Sequence, residues 1–116
     1  MQTYKGSCHC GHISFEVEGD MEKVIECNCS MCQRKGAKMW FVPEPAFRLL
    51  TPEENLATYT FNTHRIKHHF CPDCGIHAFG QARDREGKPM VSINVRCLED
   101  VDIEALPVHR FDGRSL

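Results

Sequence analysis

The chain has 116 residues, a length typical of one domain, and its 14 basic and 16 acidic residues nearly balance. This balance, without a run of like charges, argues against a nucleic-acid-binding protein. No apolar stretch approaches the roughly 20 residues that a membrane span requires, and none opens the chain, so we expect residues 1–116 to form one cytoplasmic domain without a membrane contact.

Alternating apolar and polar residues predict several strands along the chain. In chain order, the alternating positions are Ile13, Phe15 and Val17; Ala57, Tyr59 and Phe61; Ile66, His68 and Phe70; and Val91, Ile93 and Val95. Each set would turn one face of a strand toward the core. A polar break at Asp84–Lys88 predicts a hairpin between strands over Ile76–Arg83 and Met90–Leu98. We therefore expect a mainly β fold with antiparallel sheets.

The helical signals are short and predict one or two turns each. Ser30–Lys35 is followed by Gly36, a residue type favoured just after the end of a helix. The run Thr51-Pro52-Glu53-Glu54 predicts a second short helix with Thr51 as its N-cap. Residues 107–116 are expected to fray.

Eight cysteines fall into three tight groups and one isolated position. The groups are Cys8 and Cys10; Cys27, Cys29 and Cys32; and Cys71 and Cys74; Cys97 stands alone. In a compartment that keeps thiols reduced, closely spaced cysteines indicate metal ligands rather than disulfides. Iron–sulfur clusters suit Cys-x-Cys pairs poorly, so zinc is the predicted metal.

Two cysteine pairs together supply the four thiolates of a tetrahedral, structural zinc site. These predicted ligands are Cys8, Cys10, Cys71 and Cys74. Pro72 and Gly75 flank the second pair, as is typical of a tight metal-binding turn. Such a site would tie the N-terminal region to the middle of the chain.

The middle group offers three sulfurs from one segment, Cys27, Cys29 and Cys32. A zinc with three protein ligands keeps a fourth position for substrate, and its thiolate ligands suit a soft thiol. We therefore expect an open site that binds a thiol. A closed site is the alternative, with a fourth ligand from this set: Cys97, His9, His12, His64, His68, His69 and His77.

The ordered motifs of the chain resemble the family of glutathione-dependent formaldehyde-activating enzymes, to which centromere protein V is similar. The motifs span residues 5–100 and are Gly6-Ser7-Cys8-His9-Cys10, Cys27-x-Cys29-x-x-Cys32 with Gly36, Phe70-Cys71-x-x-Cys74-Gly75, and Asn94-x-Arg96-x-Leu98-Glu99-Asp100. The resemblance implies a Mss4-like, or beta-tent, fold of packed antiparallel sheets. It also implies two zinc ions per chain, one structural and one on the middle group.

The resemblance further implies an activity, the addition of the glutathione thiol to formaldehyde or another small carbonyl compound, which is a carbon–sulfur lyase reaction in reverse. The catalytic residues would be Cys27, Cys29 and Cys32. The basic residues that follow are interpreted as solvated charges rather than as a glutathione-binding site: Arg34, Lys35 and Lys38. Trp40 and Phe41 are interpreted as core residues.

Two other functions are consistent with the same cysteines. One is a non-catalytic, zinc-braced scaffold that binds a protein or self-associates. The other is a redox sensor in which oxidation of Cys27, Cys29 or Cys32 releases zinc.

Overall fold

Strands dominate the computed structural model of the chain, which describes residues 2–61 and 63–115. In chain order they are β1 (Gln2–Ser7), β2 (Ser14–Gly19), β3 (Val24–Cys27), β4 (Met39–Pro43), β5 (Phe47–Leu49), β6 (Ala57–Tyr59), β7 (Lys67–Phe70), β8 (His77–Arg83), β9 (Pro89–Asn94) and β10 (Val108–Phe111). The α-helix α1 spans Ser30–Lys35. Short 3-10 helices span Glu44–Ala46, Glu53–Asn55, Val95–Cys97, Ile103–Ala105 and Gly113–Ser115. None of these helices in the described part of the chain is long and apolar enough to cross a membrane.

The described strands form two sheets. The smaller sheet has the order β1-β2-β5, and the larger has the order β10-β3-β4-β9-β8-β7-β6. Among these strands every pairing is antiparallel except that of β10 with β3, which is parallel. The prediction of a mainly β fold with antiparallel sheets and short helices is confirmed.

Aromatic residues join the two sheets into a shared core. Phe15 of β2 is fully buried, and its ring centroid lies 6.1 Å from that of Phe79 in β8. Phe47 of β5 packs 4.6 Å from Phe79, again between ring centroids. Trp40 is buried as predicted, whereas Phe41 is 43% exposed, so its interpretation as a core residue is wrong. The packed rings hold the smaller sheet on the face of the larger one.

The helix and the hairpin predicted from sequence are both present. Gly36 follows α1 in the left-handed conformation, and its N–H donates to the carbonyl of Cys32 at 3.0 Å. This is the hydrogen bond that a helix-ending glycine supplies. In the hairpin, Asp84 accepts the backbone N–H groups of Glu86 and Lys88, each at 2.9 Å, so its side chain shapes the connection between β8 and β9.

Two boundaries differ from the predicted ones because side chains take other partners. Thr51 is not an N-cap: its hydroxyl accepts the N–H of Ser14 at 3.2 Å, and the 3-10 helix that follows begins after Pro52 without a side-chain cap. Strand β9 ends at Asn94 rather than at Leu98. The Asn94 side chain accepts the N–H of Arg96, which caps a 3-10 helix and ends the strand.

Three other expectations are wrong, two from periodicity and one for the end of the chain. Tyr59 is 49% exposed at the sheet edge, and Phe61 lies beyond β6. In β7, His69 is buried as well as His68, because Thr58 and Gln81 cover its ring through hydrogen bonds of 2.9 and 2.7 Å. Residues 107–116 were expected to fray, but β10 pairs with β3 there; Leu116 lies outside the described residues.

Candidate metal centres

The turns that connect β1 to β2 and β7 to β8 bring four cysteines together: Cys8, Cys10, Cys71 and Cys74. Their sulfur atoms all lie within 4.8 Å of one another. Cys10 Sγ is 3.8 Å from Cys8 Sγ and 3.6 Å from Cys71 Sγ. A tetrahedral zinc with bonds of about 2.3 Å separates its sulfurs by about 3.8 Å, so the group has the spacing of a four-thiolate site.

Backbone N–H groups point at the sulfurs of this four-thiol group. Cys71 Sγ accepts from the N–H groups of Asp73 at 3.3 Å and Cys74 at 3.4 Å. The backbone hydrogen bond from Ile76 holds the pKa of Cys74 at about 6, below its ordinary value. Such donors favour the thiolate over the thiol, and thiolates are the form that binds metal.

The second group lies where β3 leads into α1. Cys27 ends β3, Cys29 caps α1 and Cys32 follows inside the helix, so one short segment places all three sulfurs within 4.8 Å of one another. Cys27 Sγ accepts from the N–H of Cys29, and Cys29 Sγ from that of Cys32, each at 3.4 Å. Burial opposes ionisation of Cys29, but the backbone hydrogen bond from Cys32 helps to lower the pKa of Cys29 below its ordinary value. Burial raises the pKa of Cys32 to about 12.

Among the described residues, no fourth ligand atom joins this three-thiol group. Cys97 belongs to neither group, and its thiol donates to the carbonyl of His77 at 3.7 Å. Burial raises the pKa of Cys97 to about 11, and the charges of Cys8 and Cys74 add to the effect. The histidines considered as a fourth ligand also stay outside both groups: His9, His12, His64, His68, His69 and His77. A metal held here by protein sulfurs alone would keep one open position.

Residues 112–115, here called the covering segment, pack directly on the three-thiol group. Asn28 anchors them: its amide donates to Asp112 Oδ1 and its Oδ1 accepts the N–H of Arg114, both at 2.8 Å. A Cβ added to Gly113 would lie only 2.6 Å from Cys27 Sγ. Sequence reasoning missed this contact, because nothing in the pattern of either segment signals a parallel pairing between β3 and β10.

Lys35 lies beside two histidine rings rather than in solvent. Its Nζ is 3.4 Å from His68 Nδ1 and 3.3 Å from His77 Nε2, so the interpretation as a solvated charge is wrong for this residue. Arg34 is exposed, and its guanidinium donates to the carbonyl of Ser30 within the same helix at 3.0 Å. Sequence could not separate these neighbours, since the histidines lie 33 and 42 positions further along the chain.

Charge and burial act together on this cluster. Burial lowers the pKa of Lys35, while the charges of three cysteines oppose that shift, Cys32 most strongly. Burial, followed by the charge of Lys35, lowers the pKa of His68 to about 4 and that of His77 to about 3. Both rings are therefore neutral at pH 7, and Lys35 is the nearby cation.

Two comparisons with known proteins cover nearly the whole chain. A family model described as glutathione-dependent formaldehyde-activating enzyme matches residues 3–111, which include all eight cysteines. The crystal structure of a Rhodobacter sphaeroides protein is 34% identical and superimposes with a TM-score of 0.77. That match covers 90% of this chain and 99% of the other. Both cysteine groups thus lie within the region matched by the family model.

Proposed function

The chain belongs to the family of glutathione-dependent formaldehyde-activating enzymes, and from this premise we propose that it adds the thiol of glutathione to formaldehyde or another small carbonyl compound. The reaction would take place at a zinc ion on Cys27, Cys29 and Cys32. The observation that carries the proposal is the three-thiol group, which no fourth ligand joins among the described residues. An open position is what a metal needs in order to bind a substrate.

The four-thiol group would hold a second, structural zinc. The sulfur separations of 3.6 and 3.8 Å support this assignment, as do the backbone donors to Cys71. Four thiolates complete the coordination of zinc, so this ion would have no position for substrate. We therefore propose two zinc ions per chain, a structural ion at the four-thiol group and a catalytic ion at the three-thiol group.

The chemistry at the open site begins with a thiolate. Zinc, when bound there, would stabilise the deprotonated thiol of glutathione at neutral pH. The glutathione sulfur then attacks the carbonyl carbon, a carbon–sulfur bond forms, and the carbonyl π electrons move to oxygen, which takes up a proton. The covering segment and the half-buried cysteines limit the contact of this site with water. The reverse reaction breaks the carbon–sulfur bond, as in a lyase.

Two broader assignments accompany this proposal. A cytoplasmic location is proposed because the described cysteines form no disulfides, and reduced cysteines persist in a reducing compartment. The single-domain interpretation of residues 1–116 is supported by the core that both sheets share.

The test compares the wild type with Cys29→Ser, and Cys97→Ser is the matched control because Cys97 belongs to neither group. Elemental analysis should find about two zinc ions in the wild type and control and about one in Cys29→Ser. Titration calorimetry should detect glutathione binding to the first two proteins only. Carbon-13 NMR of labelled formaldehyde should then show faster hemithioacetal formation with the same two proteins. A wild type that held two zinc ions but bound no glutathione would contradict the proposal.

A further inference from the structure

Lys35 is fixed next to the three-thiol group by both its helix and two strands. It lies one helical turn after Cys32, and residues three positions apart share one face of a helix. His68 comes from β7 and His77 from the neighbouring strand β8, and these rings are only 6% and 9% exposed. Lysine has a long, flexible side chain, and here two buried rings on paired strands fix its ammonium end.

Hydrogen-bond chemistry determines where the protons of both rings lie. An ammonium group has three donors and no acceptor, so the ring nitrogens that face Lys35 must offer lone pairs. His68 then carries its proton on Nε2, and His77 carries its proton on Nδ1. Both of these atoms are buried, and neither has a hydrogen-bond partner among the described residues. The rings thus take up two of the three N–H donors of Lys35 and leave one.

The three-thiol group with its proposed metal would supply a counter-charge for Lys35. No carboxylate within residues 2–61 and 63–115 forms an ion pair with Lys35. Lys35 follows Cys32 by three positions in α1, so both side chains lie on one face of this helix. A partly buried cation between two neutral rings is costly without an anion nearby. Zinc on three thiolates would carry a net charge of about −1, because three negative sulfurs outweigh the ion, and this charge would stabilise the ammonium group. The helix thus places a cationic donor beside that site.

From this arrangement we propose that Lys35 is a further catalytic residue of the three-thiol site, where its remaining N–H donates to the carbonyl oxygen of the substrate. His68 and His77 are positioning residues that hold the ammonium group and do not touch the substrate. The inference rests on the proposed function and deepens it, since it names the group that meets the charge developing on oxygen.

The addition needs no reactant besides the thiol, the carbonyl compound and solvent. As the glutathione sulfur bonds to the carbonyl carbon, the π electron pair moves to oxygen, and the N–H of Lys35 stabilises the resulting alkoxide. A proton from solvent then neutralises the alkoxide. Solvent regains one proton when the next glutathione thiol ionises, so the sum is thiol plus carbonyl compound giving hemithioacetal.

The experiment uses the zinc-loaded full chain as wild type, Lys35→Met and Arg34→Met. Methionine keeps an unbranched side chain but removes the charge, and Arg34 is the control because it is exposed on the same helix. Calorimetry measures glutathione affinity, and carbon-13 NMR measures kcat and KM for formaldehyde. We expect Lys35→Met to bind glutathione like the wild type and to lose about 100-fold in kcat, the typical effect of removing an oxyanion donor. Arg34→Met should match the wild type in both.

A second measurement needs no variant. Nitrogen-15 NMR of the wild type at pH 7 should find the proton of His68 on Nε2 and that of His77 on Nδ1. Protons on the nitrogens that face Lys35 would overturn the inference, even if Lys35→Met did not fold.

The outcomes separate the two proposals. A Lys35→Met protein with wild-type kcat would overturn this inference and leave the proposed function intact. A wild type without glutathione binding or turnover would overturn both. A drop in glutathione affinity with unchanged kcat would also contradict the inference, because it would give Lys35 a role in binding alone.

Discussion

Cys10 Sγ lies 3.6 Å from Cys71 Sγ, although 61 positions separate the two residues in the sequence. The contact joins the β1–β2 turn of the smaller sheet to the β7–β8 turn of the larger one. A zinc ion at this point would close a long loop, and structural zinc contributes on the order of 10 kcal/mol to the folding of small domains. The fold should therefore depend on the four-thiol group.

The first prediction concerns Cys74→Ser, which removes one sulfur from the four-thiol group. The variant should lose one zinc ion and its cooperative unfolding transition, because three ligands hold a structural zinc poorly. Circular dichroism on heating and elemental analysis give the two readouts. Cys97→Ser should unfold like the wild type. An unchanged unfolding midpoint in Cys74→Ser would show that the sheets do not need this metal.

The second prediction concerns Gly113→Ala in the covering segment. The added Cβ would meet Cys27 Sγ at 2.6 Å and Cys29 Cβ at 3.3 Å, so the segment or the sulfurs must move. We expect zinc at the three-thiol site to bind about tenfold more weakly, as when a residue that supports metal ligands is lost. Competition with a coloured chelator measures this affinity. Ser115→Ala is the control, since it removes only a hydrogen bond to Asp112; equal affinities in both variants would mean that the packing does not shape the site.

The third prediction is a loss of stability in acid. The folded-state pKa of His68 lies near 4, below its ordinary value of 6.5, and that of His77 is lowered as well. Between pH 6.5 and 4 the unfolded chain therefore binds more protons, so the free energy of unfolding falls as the pH falls through this window. Urea unfolding at several pH values measures the slope.

His68→Gln serves as the matched variant for this pH dependence, because glutamine keeps an acceptor for Lys35 and does not titrate. Protonation of the cysteines affects both proteins alike, so the difference in slope isolates the histidine. The slope should be smaller in His68→Gln. Parallel curves would mean that His68 takes up its proton equally in the folded and unfolded states.

The fourth prediction concerns Gly6, which lies in one of the motifs that carry the family resemblance. A Cβ at this position would lie 2.5 Å from Cζ of Phe15, a ring with no exposed surface. Gly6→Ala should therefore lower the free energy of unfolding by about 1–3 kcal/mol, the usual cost of overpacking a core. Urea unfolding provides the value, with Ser7→Ala as the neighbouring control. Equal stability of the two variants would show that Phe15 has room to shift.

Local signals predicted those elements whose causes lie within a few residues. Helix α1 ends as predicted because Gly36 adopts the left-handed conformation itself, and the β8–β9 hairpin closes on the side chain of Asp84. The clusters of closely spaced cysteines were recognisable for the same reason, although the two pairs of the four-thiol group come from distant segments. The mainly β class follows from another local pattern, the alternation of apolar and polar residues.

Long-range partners explain what the sequence did not reveal. Thr51 carries a helix-capping signal, yet its hydroxyl accepts from Ser14, which lies 37 positions earlier. Lys35 has the sequence context of a solvated helix residue, and only the folded strands reveal that its ammonium group lies against His68 and His77. The pattern of a single segment does not encode such long-range contacts.

The two cysteine groups also differ in what they connect. The four-thiol group spans turns of both sheets, whereas the three-thiol group is built from β3 and α1 and is covered by residues that follow β10 in the same sheet. If zinc became scarce, departure of the ion from the open site would leave the link between the sheets in place. The protein would then remain folded but inactive. Binding of one zinc ion at the three-thiol site would restore activity without refolding.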